Sequence, residues 1–239
     1  MITSKQMREL EDYAESKGVS TLDLMENAGK AFVDAVHLKY DLDKKRVIIF
    51  AGVGNNGGDG FVAARYFAEE NQVVVLLFGD SQKLKEETMK NFVKLNNKGL
   101  FELKDSEEIV HVIENPINVV VIQHFEDLKQ FHFQKNVELL LVDAMLGTGI
   151  QGEIKEPISL GIDLFNSTKG IKIAVDLPSG MDPDTGKLAK KYCEVDYIIT
   201  FHDFKAGMQS VKDKTVVVNI GIPNENDEGN SDEVKIEKL

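Results

Sequence analysis

Apolar residues recur along this chain in two rhythms, and the switch between them near Arg46 predicts its architecture. Ahead of the switch, Met7, Leu10 and Tyr13 form a helical stripe behind Thr3 and Gln6, which have capping-box spacing. A second helix is predicted to start near Ser20 or Thr21 and to turn Leu22, Leu24, Met25, Ala28, Phe32 and Val36 toward a core. Beyond Arg46 come short apolar runs: Val47–Phe50, Val73–Phe78, Val119–Ile122, Leu139–Val142, Ile171–Val175, Ile198–Phe201 and Val216–Ile220. Such continuous Val/Ile/Leu runs suit strands covered on both faces. Stretches such as Ser81–Asn97 and Pro157–Ser167 are long enough for the helices that parallel connections require. The expected fold is therefore α/β: a three-layer α/β/α Rossmann-like sandwich with a mainly parallel central sheet and two N-terminal helices. Residues 1–223 read as one domain, and the acidic, weakly patterned 224–239 tail is expected to be at least partly mobile. Between Phe101 and Phe133 several short apolar patches give no clear boundary.

At 239 residues and 42% hydrophobic content the chain can bury one sizeable core. A formal net charge of -12 argues against polyanionic partners, so neither nucleic acid nor an anionic membrane surface is expected. The single Cys193 makes no internal disulfide, and no signal pattern or long apolar run is visible, so a reducing cytoplasm is the simplest setting.

Ligands of open parallel sheets bind outside the carboxyl ends of the strands, which directs attention to three loops. The first, Gly52 to Gly60, carries Gly52, Gly54 and Gly57 at GxGxxG spacing ahead of the helix-like Phe61–Phe67. The second runs from Asp143 through Gly147, Thr148, Gly149, Ile150, Gln151, Gly152 and Glu153. The third is Asp176-Leu177-Pro178-Ser179-Gly180-Met181-Asp182. Singly, each has an ordinary explanation: Asp59 can cap a helix, and Asp or Asn beside Gly makes turns. Three acids at one face of one sheet call for a shared ligand, because a carboxylate that loses water needs a donor, a cation or a proton. A redox dinucleotide is the first candidate, with Asp80 about 20 residues past the loop as the acid on the ribose. Asp59 opposes it, since a carboxylate beside the helix amino terminus repels a phosphate. Asn55 and Asn56 add polar groups that such a fingerprint does not need.

Together with Leu24-Met25-Glu26-Asn27-Ala28-Gly29, Thr200-Phe201 before Lys205 and Gly207, and the closing Asn219-Ile220-Gly221-Ile222-Pro223, these loops resemble the YjeF N-terminal domain family of NAD(P)H-hydrate epimerases. The likeness runs in unbroken order to about residue 223, with Lys155 where many relatives place arginine. It implies repair of nicotinamide dinucleotides whose ring has added water, the two epimers being interconverted for a separate stereospecific dehydratase. It further implies that Asn55, Asn56, Gly57, Gly58, Asp59, the 147–153 loop and Asp176 contact the hydrated NADH or NADPH. Asn56, Asp143 and Ser179 would hold a potassium ion, a donor set of amide, hydroxyl and one carboxylate oxygen that suits a large hard cation. A homodimer is also implied.

Epimerisation requires the hydroxyl at the hydrated carbon to leave as water and return to the other face. The ring nitrogen can expel it if an acid protonates the oxygen, and a carboxylate can steady the cation formed. Asp176 is the first choice for that carboxylate and Asp59 the second. Lys205 is read as meeting a substrate phosphate. Two other classes stay open: a non-catalytic nucleotide-binding or dimerisation module of the same fold, and an ordinary dehydrogenase. Ser179 lacks the flanking glycines and histidine partner of a hydrolase nucleophile.

Overall fold

The computed structural model describes residues 1–96, 117–129, 137–149, 152–223 and 236–237. Thr3 caps α1 (Ser4–Ser16) through the expected box with Gln6, and Ser20 caps α2 (Thr21–Lys39) through a box with Asp23. The seven apolar runs become β1 (Arg46–Ala51), β2 (Gln72–Phe78), β3 (Ile117–Ile122), β4 (Leu139–Ala144), β5 (Ile171–Val175), β6 (Tyr197–Phe201) and β7 (Thr215–Val218). They lie parallel in the order β3-β2-β1-β4-β5-β6-β7, the Rossmann arrangement, and β8 (Ile236–Glu237) pairs antiparallel with β7. Within the 224–239 tail, β8 is the described part.

Both sheet faces are covered, which is why the strands read as unbroken apolar runs. Val47, Ile49 and Ala51 of β1 point into one core with Phe32 of α2, while Ile48 and Phe50 point into the other with Phe165 of α6 (Ile158–Ser167). There the Phe50 ring meets Phe165 edge-on at 5.1 Å and stacks on Phe78 at 5.8 Å. Each such buried ring contributes roughly 2–3 kcal/mol through removal of apolar surface from water. Among the described residues no helix is long and apolar enough to cross a membrane.

Three boundaries depart from the sequence reading. Strand β7 stops at Val218 rather than Ile220, because the Asn219 side chain accepts a hydrogen bond from Gly221 N at 2.7 Å and turns the chain. Helix α4 (Glu86–Asn96) starts five residues after Ser81, because Asp80 accepts from Gln82 N at 3.0 Å and closes a separate 3₁₀ turn over Ser81–Lys83. The largest departure concerns the glycine loop, in which helix α3 (Asn55–Phe67) already begins at Asn55. Gly57, Gly58 and Gly60 each cost about 1 kcal/mol of helix propensity. Close packing overrides that cost: a Cβ on Gly57 would lie 1.9 Å from Gly52 O, and one on Gly52 would lie 2.1 Å from Met145 O. Only glycine lets the start of α3 sit against the ends of β1 and β4. Of the unclear 101–133 segment, the described part forms β3, from Ile117, and the short α5 (Phe125–Leu128).

Candidate active site

The chain leaves β1 toward β2 and later returns to β1's other side as β4, so a crevice opens at the carboxyl ends of these two strands. The loops after β1, β4, β5 and β6 all emerge at this edge. Because helix already holds Asn55 to Asp59, Asn56 and Asp59 sit on a rigid element rather than a mobile loop. Asp59 is not a cap: Gly54 is the N-cap residue. A Cβ on Gly54 would meet nothing within 4 Å among the described residues, so this glycine of the GxGxxG spacing is free of the close packing that uses Gly52 and Gly57.

Asp143, Ser179 and Asn56 come together around the backbone of Leu146. Asp143 is fully buried and accepts from Ser179 N at 2.7 Å, Ser179 Oγ at 2.6 Å and Met145 N at 3.3 Å. Ser179 Oγ in turn accepts from Leu146 N at 2.8 Å, and Asn56 Nδ2 donates to Leu146 O at 3.1 Å. Gly147 lies against Asn56, a Cβ there falling 3.3 Å from that of Asn56. Burial pushes the Asp143 carboxyl above the ordinary range, and hydrogen bonds from Ser179, Met145 and Cys193 pull it back. Among the described residues no lysine or arginine pairs with it. The same carboxylate raises the buried Cys193 thiol, after burial itself. Ser179→Ala leaves a buried carboxylate short of its closest donor, which is expected to cost about 1–3 kcal/mol, read as a lower urea midpoint at unchanged m.

Asp176 ends β5 in the left-handed region, at φ 61°, with Leu177 N bonded back to Val175 O at 2.7 Å. One strand over, His202 repeats this three-residue turn at φ 64°, with Asp203 N on Phe201 O at 2.7 Å. The paired turns place Asp176 Oδ1 among three donors: Thr200 Oγ1 at 2.9 Å, Phe201 N at 3.1 Å and Lys205 Nζ at 2.5 Å. Lys205 is wholly buried and also donates to Phe201 O at 2.7 Å. The phosphate role read for Lys205 is therefore corrected: its ammonium points inward to a carboxylate, with no surface to offer a phosphate. Spacing gives no sign of this, since a lysine after a loop ordinarily reads as solvated.

Asp59 is half-buried and, among the described residues, accepts no hydrogen bond from a protein side chain or backbone outside its helix. Burial pushes its carboxyl well above the ordinary range; Asp176 and Glu11 raise it further, and Lys205 opposes them. Glu11 escapes the sequence reading, although it stands on the face of α1 shared by the buried Met7 and Ala14, four residues after one and three before the other. Glu11 is exposed on α1, yet partial desolvation and then Asp176 push its carboxyl above the ordinary range, with Lys205 again opposing.

The 147–153 loop is only partly described. Ile150 and Gln151 lie outside the described residues, and Thr148 and Gly149 sit toward the surface. Gly152 and Glu153 border a cleft of about 580 Å³ together with Asp182, Lys187 and Lys191, on the α6 side of the crevice. Glu26 and Asn27 fix α2 beside the site: Glu26 pairs with Arg65 of α3 at 2.6 Å, and Asn27 donates to Ile220 O at 3.0 Å.

Residues 21–207 match the family described as YjeF-related protein N-terminus. The NAD(P)H-hydrate epimerase of Nitrosopumilus maritimus is 37% identical over 95% of this chain and 98% of its own length. That of Cenarchaeum symbiosum is 34% identical over 95% and 98%. The bifunctional NAD(P)H-hydrate repair enzyme Nnr of Methanocaldococcus jannaschii is 35% identical over 94% of this chain, which spans 40% of that longer protein. The crystal structure of the yeast protein ynu0 has the same fold, with a TM-score of 0.75 at 21% identity over 100% of this chain and 99% of that one.

Proposed function

The chain belongs to the YjeF-related N-terminal family, and from that membership we propose that it is an NAD(P)H-hydrate epimerase, an isomerase that interconverts the R and S hydrates of NADH and NADPH. The observation that carries the reading is the meeting of Asp59, on α3 behind β1, and Asp176, at the end of β5, in one crevice along the carboxyl edge of the sheet. Loss of the hydroxyl from the hydrated carbon leaves a cationic ring, and a fixed carboxylate in a partly dehydrated crevice stabilises that charge without having to reorganise. The dinucleotide is then substrate rather than redox cofactor. Asp80, the acid a dehydrogenase would place on the ribose, is occupied in closing its own 3₁₀ turn.

The substrate contacts proposed are Asn55, Asn56, Gly57, Gly58 and Asp59 on α3, the 147–153 loop, and Asp176. A potassium ion fits the other cluster. Asp143 is a buried carboxyl without a protein cation beside it among the described residues, and amide, hydroxyl and carboxylate oxygens are what a large hard cation takes. Asn56, Asp143 and Ser179 would hold it, and the ion would supply the positive charge that this corner lacks. A homodimer, a cytoplasmic setting and a separate dehydratase complete the reading.

The test mixes equilibrated NADH hydrates with a stereospecific dehydratase and adds this protein. The slowly consumed remainder is expected to convert at a rate proportional to the added protein, faster in potassium than in an organic-cation buffer. No acceleration under either condition overturns the epimerase and leaves a binding module of the same fold.

A further inference from the structure

Two carboxylates in one crevice do not have one job, and the structure assigns them different ones: Asp59 carries the proton given to the leaving hydroxyl, while Asp176 is the anion, kept in place by Lys205 as a positioning residue. This rests on the epimerase reading above. Its basis is the unequal company the two acids keep. Asp176 Oδ1 collects Thr200 Oγ1, Phe201 N and the ammonium of a lysine with no exposed surface, an arrangement that suits a negative oxygen. Buried Lys205 needs that charge as much as Asp176 needs the lysine, because neither ion is stable in a dry site alone. Oδ2 takes no protein hydrogen bond among the described residues and so is left for the ring or for water. Among the described residues Asp59 has no such donors, and the charges facing it are mainly negative: Asp176 from the end of β5 and Glu11 from α1, against Lys205 from the end of β6. A carboxyl without donors, facing two anions, is the one that keeps its proton.

The proton count then closes. The hydroxyl at the hydrated carbon takes the Asp59 proton and departs as water with the electron pair of the broken bond, and the ring nitrogen's lone pair forms the iminium. Water adds to the opposite face, a new carbon–oxygen bond forms, and the proton it sheds passes to the Asp176 carboxylate. Exchange with solvent returns Asp59 to the acid and Asp176 to the anion.

Glu11 and Lys205 act on Asp59 with opposite signs, which supplies the experiment. Activity requires protonated Asp59, so kcat/KM falls as pH rises through its ionisation. Glu11→Gln removes an anion and is expected to move this alkaline limb down by roughly half a pH unit or more. Lys205→Met removes a cation and is expected to move it up by a similar amount, at a lower plateau because Asp176 has lost its counter-charge. His202 also feels Lys205 but not Glu11, so the Glu11 arm separates the two groups. Should Lys205→Met not fold, the ¹³C carboxyl signal of Asp59 in the wild type and in Glu11→Gln, identified by its loss in Asp59→Asn, reports the same downward shift directly. Limbs that stay put or move together in active variants, or an Asp59 signal unmoved by Glu11→Gln, overturn the assignment. A wild type inactive at every pH instead overturns the epimerase reading itself.

Discussion

Asp59→Asn is expected to lower the rate of epimerisation by about 10²- to 10⁴-fold, the usual worth of a positioned proton donor, with a much smaller change in KM. The amide has the shape of the neutral carboxyl but no proton to give. The same substitution is expected to leave the fold intact and to stabilise it at higher pH, which separates a chemical loss from a structural one. Because Asp59 holds its proton more tightly folded than unfolded, its contribution to stability is fully present below the unfolded value of about 4 and is lost as pH rises through the folded one. Wild type therefore falls behind Asp59→Asn in thermal midpoint as pH increases across that window. Equal midpoints at all pH values would mean that Asp59 is solvated like any surface aspartate.

The largest effect on stability is expected from one methyl group at Gly57. A Cβ there would stand 1.9 Å from Gly52 O, backbone against backbone, so no side chain can swing away. Gly57→Ala is expected to cost on the order of 3 kcal/mol or more, and to displace α3 with Asn56 and Asp59 on it. Gly54→Ala at the neighbouring motif position, where a Cβ meets none of the described residues, is the control: the fold should hold, and any loss should fall on substrate binding. Denaturant midpoints for the two variants decide it, and similar midpoints would show that α3 can move away from the strand ends at little cost.

These two glycines also show what the sequence could and could not reveal. The seven parallel strands are legible because burial on both faces forces unbroken Val, Ile and Leu runs, and the capping boxes at Thr3 and Ser20 are local. The crevice follows from strand order. The start of α3 is hidden because a run of glycines signals a loop by propensity, and only contacts with residues distant in sequence make it helical. Lys205 is misread for the same reason: its partner lies 29 residues away, across the β5–β6 pairing. Glu11 was within reach, one helical turn from both Met7 and Ala14 on α1, but as an exposed acid it reads as solvated, and its bearing on Asp59 shows only once α1 is seen to border a crevice with two further acids.

The turn at Asp176 has a consequence for anyone improving this protein. Its backbone sits at φ 61°, where glycine or asparagine is more comfortable than aspartate, and its side chain holds a buried lysine that a hydrophobic residue could replace. A library screened for heat resistance alone would therefore drift toward glycine at 176 and an aliphatic residue at 205 as a coupled pair. With Asp176 in its proposed role, such clones are expected to be sturdier and inert, so any thermostability campaign must score turnover in every round.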